Sequence, residues 1–90
     1  MRLHWSRKAL NSRLAIFQYI GSNNLDAAKR MDPLFENAAR GLLQFPFKGK
    51  TRRVLGTREL LLHTNYTLVY SLDEGRLLII DIIHATRQYP

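Results

Sequence analysis

The longest apolar run of the 90-residue chain spans residues 77–83 and stands close to the end of the sequence. All of these residues except Asp81 are apolar, and a strand that is apolar on both faces is expected in the interior of a sheet, with cover on both sides. The run leads directly into His84, and Arg87 and Tyr89 follow within a few residues. A buried strand holds the residues at its end in place, and these three side chains can bind phosphate and transfer protons. The run therefore predicts an active site, or the remnant of one, at the end of the last strand.

Two helices are predicted between residues 7 and 45. Leu10, Leu14 and Phe17 recur at helical spacing and predict a helix from residue 7 to about residue 22, with the hydroxyl of Ser6 as its N-terminal cap. Residues 21–24 break this pattern and turn the chain back. A second helix, from about residue 25, is predicted by one apolar stripe of core residues, which are Ala28, Met31, Phe35, Ala38, Leu42 and Phe45.

Pro33 interrupts the second helix, because a proline inside a helix removes one hydrogen bond and clashes with the preceding turn. Either the helix is kinked, or it breaks and Asp32 caps a new helix that has Pro33 in its first turn. The apolar stripe continues across Pro33 without a change of spacing, which favours one kinked helix.

The remaining segments are predicted to be strands, at residues 2–6, 52–55, 57–63, 66–72 and 76–83. Thr64 and Asn65 are expected to form a two-residue turn, and Gly75 to take the left-handed position of the turn before the last strand. The first strand must join the others to bury Leu3 and Trp5. This β-α-α-β-β-β-β order predicts an α+β fold, in which a two-helix hairpin packs on a mostly antiparallel sheet and residues 1–90 form a single domain.

The chain is strongly basic, with 14 Lys and Arg against seven Asp and Glu and a net charge of +7. This excess favours a polyanionic partner, either nucleic acid or an acidic protein. Five of the cations fall within eleven residues: Lys48, Lys50, Arg52, Arg53 and Arg58. The only acidic residue beside this cluster is Glu59. The cluster is either an electrostatic footprint for such a partner or a solvated edge strand whose charges prevent aggregation.

Several functional classes do not fit this composition. The chain has no cysteine, which rules out disulfides, thiolate catalysis and cysteine-ligated zinc. His4, His63 and His84 are scattered and no glycine-rich phosphate loop is present, so neither a metal nor a cofactor is predicted. No segment has the pattern of a signal peptide or a membrane span, so we expect a soluble protein of the cytoplasm without a membrane partner.

Metal-free RNA cleavage is the reaction that these residues would suit. It requires a base for the 2′-hydroxyl, cations at the scissile phosphate and an acid for the leaving oxygen. The necessary kinds of side chain are present in His84, Arg87 and Tyr89, with Arg53 or Arg58 from neighbouring strands. The alternative is structural: Arg58 pairs with an acid or a backbone carbonyl, His84 caps the strand end, and Tyr89 packs the tail onto the sheet.

The chain resembles a known family over essentially its whole length. The element order fits, and so do the order and spacing of several motifs, namely Trp5-Ser6-x-x-Ala9, Gln18-Tyr19-Ile20, Ala27-Ala28, Phe45-Pro46, Gly56-Thr57-Arg58-Glu59-Leu60, Tyr66-x-Leu68-Val69-Tyr70 and Ile82-Ile83-His84-x-x-Arg87-Gln88-Tyr89-Pro90. Together they resemble the RelE/ParE superfamily of toxins from bacterial type II toxin–antitoxin modules, and its ParE-like members most. The resemblance implies a cytoplasmic toxin of a plasmid-stabilisation system that is neutralised by an acidic antitoxin.

The resemblance also implies one of two activities. RelE-like members cleave mRNA on the ribosome, whereas ParE-like members keep the fold, lack the nuclease residues and inhibit DNA gyrase. Nucleases of the family usually carry arginine at the position of Thr67, and a neutral contact to phosphate is about half as strong as a charged one. We therefore expect inhibition of gyrase by binding, with contacts to the target or antitoxin from Lys50, Arg52, Arg53, Arg58 and Arg87. The alternative is a ribosome-dependent mRNA endonuclease that uses His84, Arg87, Tyr89 and Arg58.

Overall fold

The computed structural model describes residues 1–62 and 65–84, and over these residues the chain forms two helices and five strands. In chain order they are β1 (Arg2–Trp5), α1 (Arg7–Gly21), α2 (Leu25–Gln44), β2 (Lys50–Thr51), β3 (Thr57–Leu61), β4 (Tyr66–Asp73) and β5 (Arg76–His84). The predicted β-α-α-β-β-β-β order and the α+β class are confirmed. Within the same residues, neither helix is both long and apolar enough to cross a membrane.

The described strands form one sheet, in the order β1-β5-β4-β3-β2. Strands β2 to β5 pair as antiparallel neighbours, whereas β1 pairs with β5 in parallel, with Leu3 opposite Leu77 and Trp5 opposite Ile79. Parallel strands need a long crossover connection, and here the helix hairpin lies within it. The first strand thus joins the sheet, and Leu3 and Trp5 pack against the core as predicted.

Helix α1 begins where the sequence predicts, but its apolar stripe does not face the core throughout. Ser6 caps the helix, and its Oγ accepts a hydrogen bond from the backbone N–H of Ala9 at 2.9 Å. Leu10 and Leu14 face outward and are 49% and 56% exposed, whereas Ala9 is fully buried. The reason is that the inward side of α1 also carries polar residues with partners of their own, among them Arg13, which pairs with acidic residues of α2.

Helix α2 is one continuous helix, Leu25–Gln44, and Pro33 lies inside it. The alternative in which the helix breaks at Pro33 is therefore wrong. The buried residues largely follow the predicted stripe and are Ala28, Phe35, Ala39 and Leu42. Phe45 departs from the stripe because it follows the last helical residue, where it is 61% exposed.

The strand predicted at residues 52–55 is wrong, because β2 covers only Lys50–Thr51 and a turn follows it. The backbone N–H and the hydroxyl of Thr57 both donate to the carbonyl oxygen of Val54, at 3.1 and 2.6 Å. Gly56, between them, has a φ of 81°, a left-handed conformation that glycine adopts without strain. These bonds close the chain into a turn, so it does not remain extended between β2 and β3.

The two later hairpins agree with the sequence to different degrees. Asn65 has the predicted positive φ, of 69°. The hydrogen bond that closes this hairpin runs from the N–H of Leu62 to the carbonyl of Tyr66, so its loop has three residues and not the predicted two. Thr64, the other residue of the predicted two-residue turn, lies outside the described residues. Gly75 takes the predicted left-handed conformation in the turn before β5, with a φ of 78°.

The sheet has two different faces. On the face toward the helices, the helix face, the buried core of β4 and β5 comprises Tyr66, Leu68, Tyr70, Leu77, Ile79 and Ile82. Because side chains alternate along a strand, Thr67, Val69 and Ser71 point to the other face, which we call the open face although Val69 itself is buried there. Leu78 and Ile83, the β5 partners of Ser71 and Thr67, are partly exposed. The second cover that we expected over β5 is therefore incomplete among the described residues.

Candidate partner-binding surface

His84 is the last residue of β5 and lies on the helix face of the sheet. Its cross-strand partner is Tyr66, and the two rings meet edge to face with their centroids 4.8 Å apart. Tyr66 in turn meets Phe35 of α2 edge to face at 5.5 Å. His84 is thus the outer member of an aromatic stack that starts in the core. Arg87 and Tyr89, which were predicted to act with His84, lie outside the described residues.

Arg58 is held by the protein itself. Its Nη1 donates to the backbone carbonyl of Gly49 at 2.8 Å, and its guanidinium stacks on Phe47, 4.9 Å from the ring centroid. The pairing with a backbone carbonyl is the structural role that the sequence left open. Arg58 lies opposite Tyr70 of β4, and His84 lies opposite Tyr66 of the same strand. Four residues along a strand separate the Cα atoms of Arg58 and His84 by at least about 13 Å. The structure does not bring these two candidate catalytic residues into contact.

The basic cluster predicted from the sequence is partly neutralised within the protein. Lys50 and Arg52 both pair with Glu59, each at 3.5 Å. Lys48 and Arg53 are exposed, and neither side chain has an ion-pair or hydrogen-bond partner among the residues that the structure describes. Two of the five predicted cations thus have no partner within the described part of the protein, whereas the other three have internal partners.

Thr67, where the nucleases that this chain resembles usually carry arginine, lies on the open face. Its cross-strand neighbours are Leu61 of β3 and Ile83 of β5, and neither is a cation. Leu61 is 64% exposed, so this part of the open face presents apolar surface. His84 lies on the opposite face, which means that Thr67 and His84 do not line one cleft.

The loop between α2 and β2 is fixed by two polar contacts with the core that the sequence analysis missed. The hydroxyl of Tyr70 donates to the carbonyl of Pro46 at 2.8 Å and accepts the N–H of Gly49 at 2.9 Å. Arg58 binds the carbonyl of Gly49, so both polar groups of that residue's backbone are satisfied. Tyr70 is itself fully buried in the core, and it therefore ties the loop to the middle of the sheet.

The same loop forms a groove. Residues 44–48 line a depression of about 680 Å³ that is open to solvent, and we call it the loop groove. Phe45 and Phe47 in its lining are 61% and 69% exposed. The signal in the sequence is the pair of phenylalanines on either side of Pro46, one of which the helical stripe assigns to the core.

An ion network that the sequence analysis also missed joins the two helices. Arg13 of α1 donates to both carboxylate oxygens of Asp32, at 2.8 and 3.0 Å, and to Glu36 at 2.8 Å. Its guanidinium also stacks over Trp5 of β1, 4.8 Å from the ring centroid. The hydrogen bonds that Arg13 donates to Asp32 are the main cause that raises the pKa of Arg13 above its ordinary value. Arg13 therefore stays charged and links both helices to the sheet.

Asp81, close to the end of β5, is bound by α1. Asp81 accepts a hydrogen bond from the hydroxyl of Ser12 at 2.6 Å and faces Lys8 at 3.7 Å, so its carboxylate is engaged with α1. Within residues 1–62 and 65–84, no group of histidine and acidic side chains is arranged to hold a metal ion. His63 lies outside the described residues.

Comparison with known proteins assigns the family. The sequence model of the ParE toxin of the type II toxin–antitoxin system, parDE, matches residues 3–89. The chain belongs to the ParE toxin family. It is accordingly the toxin of a type II toxin–antitoxin system, within the RelE/ParE superfamily that the motifs indicate, and an antitoxin is its implied partner.

Individual relatives agree with this assignment. Toxin RelE2 of Caulobacter vibrioides is 34% identical over 83 residues, which cover 92% of this chain and 93% of that protein. A candidate toxin of Sinorhizobium fredii, Y4kP, is 31% identical over 90 residues, which cover 99% of this chain and 93% of that protein. A chain from the chromosomal ParDE system of P. aeruginosa shares the fold, with a TM-score of 0.85 at 20% identity over 93% of this chain and 95% of that one.

Proposed function

We propose that this ParE-family toxin inhibits DNA gyrase by binding to it, without catalysing a reaction of its own. The observation that carries the proposal is the environment of Thr67, which has Leu61 and Ile83 as its cross-strand neighbours. A phosphate placed there would meet one hydroxyl and two apolar side chains, whereas charge-assisted contacts to phosphate are about twice as strong as neutral ones. The match of the ParE family over residues 3–89 supports the same activity.

The internal pairing of the basic residues also favours binding over cleavage. Nucleic-acid backbones are bound through Lys and Arg side chains that neutralise phosphates. Here Lys50 and Arg52 share Glu59, and Arg58 is bonded to the loop between α2 and β2. A protein partner fits this surface better, because it can use the exposed apolar residues together with the remaining charges.

A supercoiling assay with purified gyrase tests the proposal. The free toxin is expected to inhibit supercoiling at micromolar concentration, and the toxin–antitoxin complex serves as the inactive control. Toxin that arrests growth but leaves supercoiling unchanged at micromolar excess would refute gyrase as the target.

The alternative function is ribosome-dependent cleavage of mRNA by His84, Arg87, Tyr89 and Arg58. It is favoured by the position of His84, whose ring is packed against Tyr66 at the end of β5, and by the 34% identity to the relative named RelE2. Primer extension on mRNA after induction of the toxin distinguishes the two functions. Cuts at fixed codon positions are expected only for the nuclease, and an intact transcript during growth arrest would exclude it.

The antitoxin is expected to be acidic and to cover the basic surface beside the last strands. We propose that this surface includes Lys50, Arg52, Arg53, Arg58 and Arg87, and that the pair acts in the cytoplasm in plasmid stabilisation. Co-expression with the small protein encoded next to the toxin gene should yield a stable complex. A toxin that purifies alone under these conditions would contradict this part of the proposal.

A further inference from the structure

The loop groove exposes two large aromatic side chains to solvent. Phe45 and Phe47 keep 61% and 69% of their surface in contact with solvent, and Pro46 between them adds to the apolar lining. Burying large aromatic side chains dominates the energetics of protein interfaces. A groove of about 680 Å³ can accept one or two large apolar side chains of a partner.

The backbone beneath the groove is organised before any partner arrives. The hydroxyl of the buried Tyr70 bonds to Pro46 and Gly49, and Arg58 bonds to Gly49 and stacks on the ring of Phe47. A partner that docks here does not have to order the loop, and binding to a preorganised site costs less conformational entropy.

The rim of the groove is positive. Lys48 is part of the lining, and its side chain has no acidic partner among the described residues. Arg53 lies outside this lining, in the turn after β2, but it too is exposed and has no acidic partner among the described residues, and the whole chain carries a net charge of +7. An apolar floor with a positive rim is complementary to a segment that combines a large apolar residue with carboxylates.

We propose that the loop groove docks an acidic segment of the antitoxin, which inserts a large apolar side chain beside Phe45 and Phe47 and pairs a carboxylate with Lys48. The proposal rests on the assignment of the chain as the toxin of a toxin–antitoxin pair, and it does not depend on whether gyrase is the target. Nucleic acid is the less favoured occupant, because most of the lining is apolar and offers phosphate only Lys48.

The affinity of toxin variants for the antitoxin tests this proposal. The probe is the full-length small protein encoded next to the toxin gene, and the toxin is freed from the co-expressed complex and refolded. Phe45→Ala is expected to weaken binding about 30-fold, the loss typical of an aromatic hot spot. Phe45 is preferred to Phe47 because Phe47 also supports Arg58. Leu14→Ala is the matched control, since Leu14 is an apolar residue of similar exposure on α1 and its loss should change affinity less than about twofold.

The charge is tested separately. Lys48→Glu is expected to weaken binding about tenfold at low ionic strength and less at high salt, because salt screens contacts at an interface rim. Thermal unfolding of each variant confirms that it is folded, and a variant that unfolds early is replaced by Phe45→Ser or Lys48→Gln.

Three outcomes would overturn the proposal. Wild-type affinity of both variants for the antitoxin would show that the groove is not its docking site. Variants that bind the antitoxin with wild-type affinity but are no longer toxic would show that the groove binds the toxin's cellular target instead. If the wild-type toxin binds a single-stranded RNA oligonucleotide and both variants abolish this binding, the groove is a nucleic-acid site. A negative supercoiling assay, by contrast, would refute gyrase inhibition and leave these affinities unchanged.

Discussion

At the scale of single residues, Gly49 and Tyr70 decide how the loop after α2 is positioned. A Cβ atom on Gly49 would lie 2.6 Å from the hydroxyl of Tyr70 and 2.7 Å from the carbonyl oxygen of Glu59. Neither neighbour can easily yield, because Tyr70 is fully buried and the carbonyl belongs to the backbone of β3. Glycine is required here by the close approach of two elements, whereas Gly41, in the exposed side of α2, has no atom within 4 Å of its Cβ position.

We predict opposite effects for alanine at these two glycines. Gly49→Ala should lower the free energy of unfolding by about 1–3 kcal/mol, the usual cost of inserting a methyl group into a packed site. Gly41→Ala should raise it by up to about 1 kcal/mol, because glycine is a poor helix former. Urea denaturation measures both, and equal effects of the two substitutions would show that the loop yields around Gly49.

At the scale of elements, Arg13 links α1, α2 and β1. It donates to Asp32 and Glu36 and stacks over Trp5, and only 18% of its side chain is exposed. Its raised pKa adds stability that is fully present below the pKa of the unfolded chain and is lost only as the pH rises through the still higher folded value, so this contact does not titrate near neutrality.

Replacing this arginine should loosen the helix hairpin. Arg13→Met keeps much of the side-chain volume but leaves Asp32 without its partner, and we expect it to lower the free energy of unfolding by roughly 1–3 kcal/mol. Arg40→Met is the control, because the Arg40 side chain is 66% exposed and its bond to Glu36 joins neighbouring turns of one helix. Such a pair contributes at most about 0.5 kcal/mol. If Arg13→Met lowers the free energy of unfolding no more than Arg40→Met does, the ion network adds little to the stability that packing provides.

At the scale of the whole molecule, the two faces of the sheet separate His84 from Thr67, the position of the missing arginine. His84 packs with Tyr66 on the helix face, whereas Thr67 lies on the open face between Leu61 and Ile83. Arg58 lies on the helix face too, but it is bonded to Gly49 in the loop between α2 and β2. Its Cα atom lies at least about 13 Å from that of His84.

This separation predicts the result of restoring the missing arginine. Thr67→Arg should not produce cleavage of mRNA, since the new guanidinium would stand among apolar neighbours on the face away from His84. Ribosome-dependent cleavage is measured by primer extension, and toxicity toward growing cells serves as the control for a folded protein. Codon-positioned cuts by this variant would show that the tail of the chain completes a nuclease site on the open face.

Local patterns predicted most of the elements correctly. The cap at Ser6, the helical stripe through Phe35 and Leu42, and the left-handed Gly75 depend on neighbours close in sequence, and all three are present. The predictions failed where hydrogen bonds and ion pairs outweigh the pattern of apolar residues. Residues 52–55 turn because Thr57 bonds back to Val54, and Leu14 is exposed because Arg13, with its partners in α2, occupies the inward side of the helix.

The sequence by itself determined the element order, the basic charge and the toxin family, because periodicity, composition and motif spacing are all properties of the linear chain. Only the tertiary structure decided which charges are available, since Lys50 and Arg52 meet Glu59 through strand pairing, and pairing depends on register. It likewise placed Thr67 and His84 on opposite faces and turned Phe45 outward beside a loop that Tyr70 holds from the core. Cross-strand register and close approach between elements are set by the packing of the whole chain, and no single segment encodes them.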